Sequence, residues 1–284
     1  MLFDFRFLLI PSLILSLILR ISANAIAQPS NPVANRIIAL TSISADILQQ
    51  LDRQKLVGMS GSSLFDQDSR FANIPKVSSG RTPPNLERII ALKPDLVIGA
   101  VGFHDQALKR LQSLGISTIS SSLNSWSDLE KLIQQLAQAT QTSPMPVMNS
   151  LQTCAPTNPK SNLSTLVLAS RQPLLSPNRQ SWAGSLLDRF NFKNTTAELQ
   201  GQSPIRRYVT LSPERLLQAN PTNIILIDVQ GGDIAEIKQL PFWNQLQATR
   251  NNRVFTFDYY GLVNPGSLAK IGQACTKLKS IGNL

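Results

Sequence analysis

The sequence predicts an α/β protein of two lobes, each with a mainly parallel sheet flanked by helices. Three observations predict this class. Short apolar runs of strand length alternate with amphipathic segments of helix length, as they do where helices join parallel strands. One segment, residues 85–100, has a second copy at residues 212–228. A proline-rich stretch at residues 143–162 separates the two copies.

The duplicated segment is predicted to be a short helix followed by a buried strand. In the first copy, N-L-E-R-I-I-A-L-K-P-D-L-V-I-G-A, Pro94 disfavours helix in the residue before it, and the apolar residues 96–98 follow. The second copy, S-P-E-R-L-L-Q-A-N-P-T-N-I-I-L-I-D, matches it at a constant offset of 127 residues. Because solenoid repeats recur every 20 to 50 residues or so, a single repeat at this distance predicts two similarly built lobes.

The composition describes a globular chain with an excess of positive charge. Of its 284 residues, 42% are hydrophobic and 15% are charged, with 27 Lys and Arg against 17 Asp and Glu. Because the basic residues are scattered along the chain, we expect no nucleic-acid-binding arm. A diffuse positive charge favours an anionic ligand or partner instead.

Residues 1–27 have the pattern of a secretory signal peptide. Arg6 precedes a 13-residue stretch, residues 7–19, that is apolar apart from two serines and too short to span a bilayer. Ala25-Ile26-Ala27 fits the cleavage pattern, and cleavage after Ala25 is an alternative. Since no cysteine lies nearby, we expect a soluble periplasmic protein that is not lipid-anchored, with a net charge of +9 after cleavage.

The rest of the chain divides into three parts. Residues 28–124 are predicted to form the N-terminal α/β lobe, residues 125–163 a helix and a proline-rich linker, and residues 164–284 the C-terminal α/β lobe. Ligands of open α/β sheets bind beyond the carboxyl ends of the strands, and here two such edges can face each other. We therefore expect a ligand cleft between the lobes.

Several motifs resemble the periplasmic binding proteins of ABC importers, in the branch that handles ferric siderophores, cobalamin and haem. The motifs are R-I-I-A-L-T (36–41), V-G-M (57–59), residues 85–98, L-x-x-L-G-I (111–116), L-S-P-E-R-L-L-x-x-N-P (211–221) and N-R-V-F-T-F-D (252–258). The resemblance implies two α/β lobes joined by one long helix. The linker departs from that pattern, because four prolines in residues 143–162 predict that no full-length helix forms there.

Two glutamates occupy positions where the resemblance implies contact with an arginine of the membrane permease. Glu87 and Glu214 are the equivalent residues of the two copies, and each falls in a first helical turn. Such a glutamate also complements the helix dipole, which alone contributes about 0.3–1 kcal/mol. The recurrence of the residue at equivalent positions in both lobes, together with the family resemblance, favours docking.

The resemblance implies ligand-binding roles for three residues. Arg81 is at a cleft-lining position, where a guanidinium suits carboxylate or hydroxamate oxygens, although a solvated loop arginine is the alternative. Tyr208 is where cobalamin binders carry a tryptophan. Trp182 follows the predicted cleft loop 176–181, with a buried core aromatic as the alternative. Weaker candidates, placed only by their position at predicted strand ends, are Arg179, Arg206, Phe103, Tyr259 and Tyr260.

No catalytic or metal-binding motif is found in the sequence. His104 is the one histidine, and bare transition-metal sites need three or four His, Cys or carboxylate ligands. We therefore predict a monomeric receptor, not an enzyme, that binds no nucleic acid and no covalent cofactor. Its expected ligand is a ferric siderophore, which it delivers to an ABC permease. The alternatives are a cobalamin (corrinoid) receptor and an α/β periplasmic protein without a transport role.

Cys154 and Cys275 are predicted to form a disulfide bond. Export places the chain in an oxidising compartment, where two leftover thiols tend to pair. The bond would tie the linker to the last helix and supply part of the stiffness of the missing linker helix. The alternative is that Cys275 is a small buried hydrophobe on the inward stripe of that helix.

Overall fold

The computed structural model describes residues 33–80, 82–156, 162–199, 203, 206–229 and 234–282. The first half of the chain alternates strands and helices as the sequence predicts. Its elements are β1 (Ile37–Ala39), α1 (Ser42–Asp52), β2 (Leu56–Ser60), β3 (Lys76–Ser78), α2 (Leu86–Ala91), β4 (Leu96–Ala100), α3 (Asp105–Ser113), β5 (Ser117–Ser121) and α4 (Trp126–Thr140). All adjacent strands pair in parallel, in the order β3-β2-β1-β4-β5.

Helices cover both faces of this first sheet. On one face α2 and α3 bury residues such as Ile89 and Leu111 against Ile38 and Val97. On the other face α1 and α4 contribute to a larger core. The strands therefore present apolar side chains on both faces, which explains why they appear in the sequence as continuous apolar runs.

The connection between the halves contains no long helix in its described part. After α4 the chain forms only the six-residue helix α5 (Met145–Ser150) and a 3₁₀ turn (Gln152–Cys154). The proline content predicts this interruption, since Pro144 and Pro146 are tolerated only at the start of α5. Cys154 and Cys275 form a disulfide bond, with an S–S distance of 2.01 Å, and both residues are fully buried.

The second half contains two sheets. Its elements are β6 (Ser164–Leu168), β7 (Ser170–Arg171), β8 (Leu174–Pro177), α6 (Trp182–Arg189), β9 (Lys193–Asn194), β10 (Tyr208–Leu211), α7 (Pro213–Ala219), β11 (Asn223–Asp228), α8 (Ile234–Lys238), α9 (Gln247–Arg250), β12 (Val254–Asp258), α10 (Tyr259–Leu262) and α11 (Leu268–Gly282). The parallel sheet has the order β12-β11-β6-β9, and the antiparallel sheet has the order β10-β8-β7. The sequence did not predict the antiparallel sheet, whose strands are two to four residues long.

The duplicated segment forms the same structure twice. Asn85 and Ser212 cap α2 and α7, each accepting a hydrogen bond from the backbone N–H three residues on. Lys93 and Asn220, again 127 residues apart, both end their helices in the left-handed region, with φ of 47° and 34°. The strand orders β2-β1-β4-β5 and β9-β6-β11-β12 also correspond. The two halves are therefore built on one plan.

One core runs through both halves. The largest cluster of buried apolar residues takes Ile37 and Ile98 from the first sheet and Val167 and Ile225 from the second. By contacts, residues Val33–Leu284 form one compact unit. No helix in the described part of the chain is long and apolar enough to cross a membrane.

Candidate functional site: the tyrosine cluster and the two glutamate helices

Three tyrosines follow or begin strands of the second half. Tyr259 and Tyr260 begin α10, directly after β12, and their ring centroids are 5.3 Å apart in an edge-to-face arrangement. Tyr208 begins β10. All three side chains are partly buried. Burial raises the pKa of Tyr208, and the neighbouring Tyr259 hydroxyl raises it further. The pKa of Tyr259 is also raised, again mainly by burial. We call Tyr208, Tyr259 and Tyr260 the tyrosine cluster.

The first half of the molecule reaches the tyrosine cluster through Leu64. Gly266 donates its N–H to the carbonyl of Tyr260 at 2.9 Å. A Cβ atom at residue 266 would lie 2.6 Å from Tyr260 Cδ1 and 3.0 Å from Leu64 Cδ2, so only glycine fits this close approach. Leu64 lies in the loop after β2, near the carboxyl edge of the first sheet. The cluster therefore lies where the two halves meet, which is where the sequence predicts the cleft.

Trp182 lies in the core rather than at the surface of the cleft. Its side chain is 2% exposed, its Nε1–H donates to the Gly261 carbonyl at 3.0 Å, and its ring stacks on Trp126 at a centroid distance of 6.3 Å. This position matches the alternative interpretation of the sequence, in which Trp182 is a buried core aromatic. Trp182 contacts the residue that follows the tyrosine pair and so supports the cluster from behind.

The arginine candidates differ in their surroundings. Arg179 pairs with Glu198 at 2.6 Å, and both side chains are largely exposed. Together they line a groove of about 360 Å³ between α6 and the segment after β9. Because this guanidinium already has a carboxylate partner, a ligand would have to compete with Glu198 for it. Arg206 is exposed. Arg81 lies outside the described residues.

Phe103 belongs to a separate groove in the first half. It follows β4, is 88% exposed and lines a groove of about 580 Å³ together with Pro83, Leu86 and Ala107. Phe103 therefore lies between α3 and the segment that leads into α2.

His104 is engaged with the backbone at the end of β4. Its Nδ1 accepts the N–H of Ala100 at 2.9 Å, which leaves the proton of the neutral ring on Nε2. Burial lowers the pKa of His104. Among the described residues there is no group of three or more His, Cys, Asp or Glu side chains that could hold a metal ion.

Glu87 and Glu214 occupy equivalent exposed positions. Each is in the first turn of its helix, two residues after the capping side chain of Asn85 or Ser212. A hydrogen bond with the Ser212 side chain is the main cause that lowers the pKa of Glu214. In each copy the buried apolar residue, Ile89 or Leu216, is two positions further on. The buried residue therefore fixes which side of each helix faces solvent.

Two similar α/β halves with a short connection and a shared core have the architecture of bilobal binding proteins, whose ligands bind between the halves. The family model described as "Periplasmic binding protein" matches residues 37–143 and 148–260. This chain therefore belongs to the periplasmic binding protein family, among the substrate-binding proteins of ABC transporters.

The relatives are distant in sequence but similar over most of their length. A Bacillus subtilis protein named an uncharacterized ABC transporter substrate-binding lipoprotein is 23% identical over 78% of this chain and 72% of its own. A vitamin B12-binding protein of Vibrio parahaemolyticus is 24% identical over 89% of this chain and 92% of its own. The crystal structure of a possible iron-binding protein from Staphylococcus epidermidis superposes with a TM-score of 0.71 at 18% identity, covering 88% of this chain and 98% of that one.

Proposed function

We propose that this chain is the extracytoplasmic receptor of an ABC importer and that its ligand is a ferric siderophore. The observation that carries the proposal is the tyrosine cluster at the meeting point of the two halves. The Tyr208 and Tyr259 hydroxyl groups are protonated at neutral pH, and burial raises both pKa values further, so these groups can act as hydrogen-bond donors. The periphery of an iron chelate offers carboxylate and hydroxamate oxygens as acceptors, and its apolar parts suit the rings.

The basic charge of the chain supports the same class of ligand. With 27 basic against 17 acidic side chains, the molecule attracts anions. A chelator encloses its metal, so a receptor can recognise the organic shell without a set of protein ligands. Arg81 is part of this proposal, because its guanidinium suits the oxygens of such a shell. The proposal is a receptor and not an enzyme.

Cobalamin is the second candidate ligand. Two observations favour it: the similarity to a vitamin B12-binding protein over most of the chain, and the edge-to-face pair of Tyr259 and Tyr260. A corrinoid presents a broad apolar surface with amide groups at its edge, which aromatic side chains can cover. The two candidates differ in charge, so they predict different effects of salt on ligand affinity. Binding of an anionic siderophore weakens at higher ionic strength, whereas binding of an uncharged corrinoid changes little.

Glu87 and Glu214 are proposed as the docking residues for the permease. What supports this is their exposure, their equivalent positions on α2 and α7, and the identical capping of the two helices. Two carboxylates at equivalent positions of two similar helices suit a partner that presents a matching pair of basic residues.

We also propose that the exported protein is free rather than lipid-anchored. A lipid anchor requires a cysteine thiol, and both cysteines of the chain, Cys154 and Cys275, are joined in the disulfide. The intact mass of the exported protein tests this proposal. The expected mass is that of a chain beginning at Ile26 or Gln28, and any additional mass of acyl chains would contradict it.

The ligand proposal is tested by titrating the purified protein with a panel of a ferric hydroxamate, a ferric catecholate, cyanocobalamin and haemin. Calorimetry gives the affinities, and tryptophan fluorescence gives the location. Trp182 contacts Gly261 beside the tyrosine cluster, whereas Trp243 lies in the separate core of the second half. Quenching should persist in Trp243→Phe and weaken in Trp182→Phe, in which Trp126 remains as the nearby reporter. Failure of all four compounds to bind would contradict the receptor proposal.

A further inference from the structure

Arg189 lies where three parts of the molecule meet. It is the last residue of α6, in the second half. Its guanidinium carbon is 4.0 Å from the centre of the Trp126 ring, at the start of α4 in the first half. Its Nε donates to the carbonyl of Cys154, in the connection between the halves, at 2.7 Å. One partly buried side chain therefore contacts the first half, the second half and the connection.

The partners of Arg189 are themselves held in place. The Trp126 indole N–H donates to Glu130 at 2.6 Å, and the Trp126 backbone N–H donates to the Ser185 hydroxyl at 3.0 Å. The charge of Glu130 also favours the cationic guanidinium, whereas burial lowers the pKa of Arg189. The disulfide fixes Cys154 to α11. A guanidinium between an aromatic face and a backbone carbonyl uses both its π surface and its donors.

The contacts continue from Arg189 to the tyrosine cluster. Trp126 stacks on Trp182, and Trp182 donates its indole N–H to the carbonyl of Gly261. Gly261 follows the tyrosine pair in α10 and is itself packed against α11, where a Cβ at residue 261 would lie 2.5 Å from the Lys270 carbonyl oxygen. The line of contacts thus runs from the connection, through the two tryptophans, to the segment that carries Tyr259 and Tyr260.

We propose that Arg189 is a positioning residue of the ligand site: it holds the first half, the second half and the connection in one orientation and thereby fixes the geometry of the tyrosine cluster. The six-residue helix α5 is too short to hold the two halves rigidly, so side-chain contacts hold them instead. The ligand-affinity part of the proposal rests on the proposed function, whereas the part that concerns the orientation of the halves does not.

The test compares Arg189→Met, which keeps an unbranched apolar stem but removes the charge and the donors, with Arg189→Lys, which keeps the charge but loses the planar group. Arg250→Met is the matched control, because Arg250 is exposed at the end of α9 in the same half. All variants carry Trp243→Phe, so that fluorescence reports only Trp126 and Trp182. The native Trp126 and Trp182 are 8% and 2% exposed, so a soluble quencher such as acrylamide reaches them poorly.

In Arg189→Met we expect acrylamide quenching to rise and the tryptophan emission to shift to longer wavelength under native conditions, with Arg189→Lys in between and the control unchanged. For the chelate that binds the parent protein, affinity should fall about tenfold if the competent orientation drops to about a tenth of the population. Unchanged quenching and unchanged affinity in Arg189→Met would overturn the proposal, even if the melting temperature fell, because that pattern describes a residue that contributes only stability.

Two safeguards keep the test decisive. If Arg189→Met does not fold, Arg189→Lys is compared with the parent protein by the same two measurements, and equal quenching and affinity overturn the proposal. If no compound of the panel binds the parent protein, the proposed function fails, and the quenching measurement alone then decides whether Arg189 orients the halves.

Discussion

The carboxylate of Asp46 accepts the backbone N–H of Leu268 at 2.8 Å, across 222 residues of sequence. Asp46 lies on α1 in the first half and is 1% exposed, whereas Leu268 is the first residue of α11 in the second half. A buried carboxylate at the amino end of a 15-residue helix lies at the positive end of its dipole. The guanidinium of Arg70 pairs with the same carboxylate, with Nη1 3.2 Å from Asp46 Oδ1. This contact ties the two halves together on the side of α11.

Replacing Asp46 by alanine should destabilise the protein by about 1–3 kcal/mol, because the Leu268 N–H loses its acceptor in a buried site. Asp46→Asn should cost less, since the amide oxygen can still accept that hydrogen bond. Urea unfolding measures both changes. Arg70 remains paired with Asp68 at 2.6 Å in either variant, so the loss is expected at the helix terminus. An alanine variant as stable as the parent would contradict this account.

The same pair of variants predicts a pH dependence with a definite sign. Burial, the largest cause, raises the pKa of Asp46 in the folded state above its value in the unfolded chain. The folded state therefore binds the proton more tightly, and the stability that this contributes is lost as pH rises from about 4 through the folded-state pKa. The free energy of unfolding of the parent, minus that of Asp46→Asn, should fall over that window and then level off. A difference that rises with pH would contradict the prediction.

The disulfide should contribute several kcal/mol to stability. Cys154 and Cys275 are 121 residues apart, and closing a loop of that length in the unfolded chain corresponds to at most about 5 kcal/mol in the chain-entropy model. The double variant Cys154→Ser, Cys275→Ser should therefore unfold at a lower urea concentration. Thiol titration of the unfolded, unreduced protein should detect no free thiol. Two titratable thiols would show that the disulfide is absent. A double variant as stable as the parent would show that the disulfide does not contribute to stability.

The fold could be predicted largely from the sequence because its signals are local. Proline, the capping residues and the apolar runs all act within a few positions of residues 85–100 and 212–228, and both copies form the expected helix and strand. The short strands β3, β7, β8, β9 and β10 were missed, since two to four residues carry little periodicity.

The details of the site were less predictable because they depend on partners distant in sequence. The sequence around Asp46 does not indicate Leu268 as its partner. The sequence around Arg189 likewise does not indicate Trp126. Trp182 follows a loop that was expected to line the cleft, but the side chain turns inward to Gly261. The local signal that selected Tyr259 was its position immediately after a strand, β12. A strand end alone does not define the candidate site, because Phe103, also chosen in this way, lies in the separate groove of the first half.

Tyr208 should act as a neutral donor. Tyr208→Phe keeps the ring and removes only the hydroxyl, so ligand affinity should fall by the loss of one hydrogen bond, about 0.5–1.5 kcal/mol or up to about tenfold. Because burial raises the pKa of Tyr208, the hydroxyl stays protonated well beyond neutral pH, and affinity should stay constant between about pH 7 and 9. In an absorbance titration of the variant, the tyrosine that ionises at the highest pH in the parent should be missing. A drop in affinity below pH 9 that disappears in Tyr208→Phe would show that the phenol ionises instead.

Reversing the charge of Glu87 and Glu214 should impair transport without weakening ligand binding. Both side chains are exposed in the first turns of α2 and α7, outside the tyrosine cluster. An exposed ion pair contributes at most about 1 kcal/mol, so Glu87→Arg or Glu214→Arg alone should slow uptake modestly and the double variant should nearly abolish it. The measurements are uptake by cells that carry the importer and, separately, affinity for the same chelate. Gln135→Arg is the matched control, because it adds a positive charge to an exposed position on α4, outside both glutamate helices. Normal uptake by the double variant would show that neither glutamate contacts the permease. Reduced ligand affinity would show that the glutamates belong to the ligand site instead.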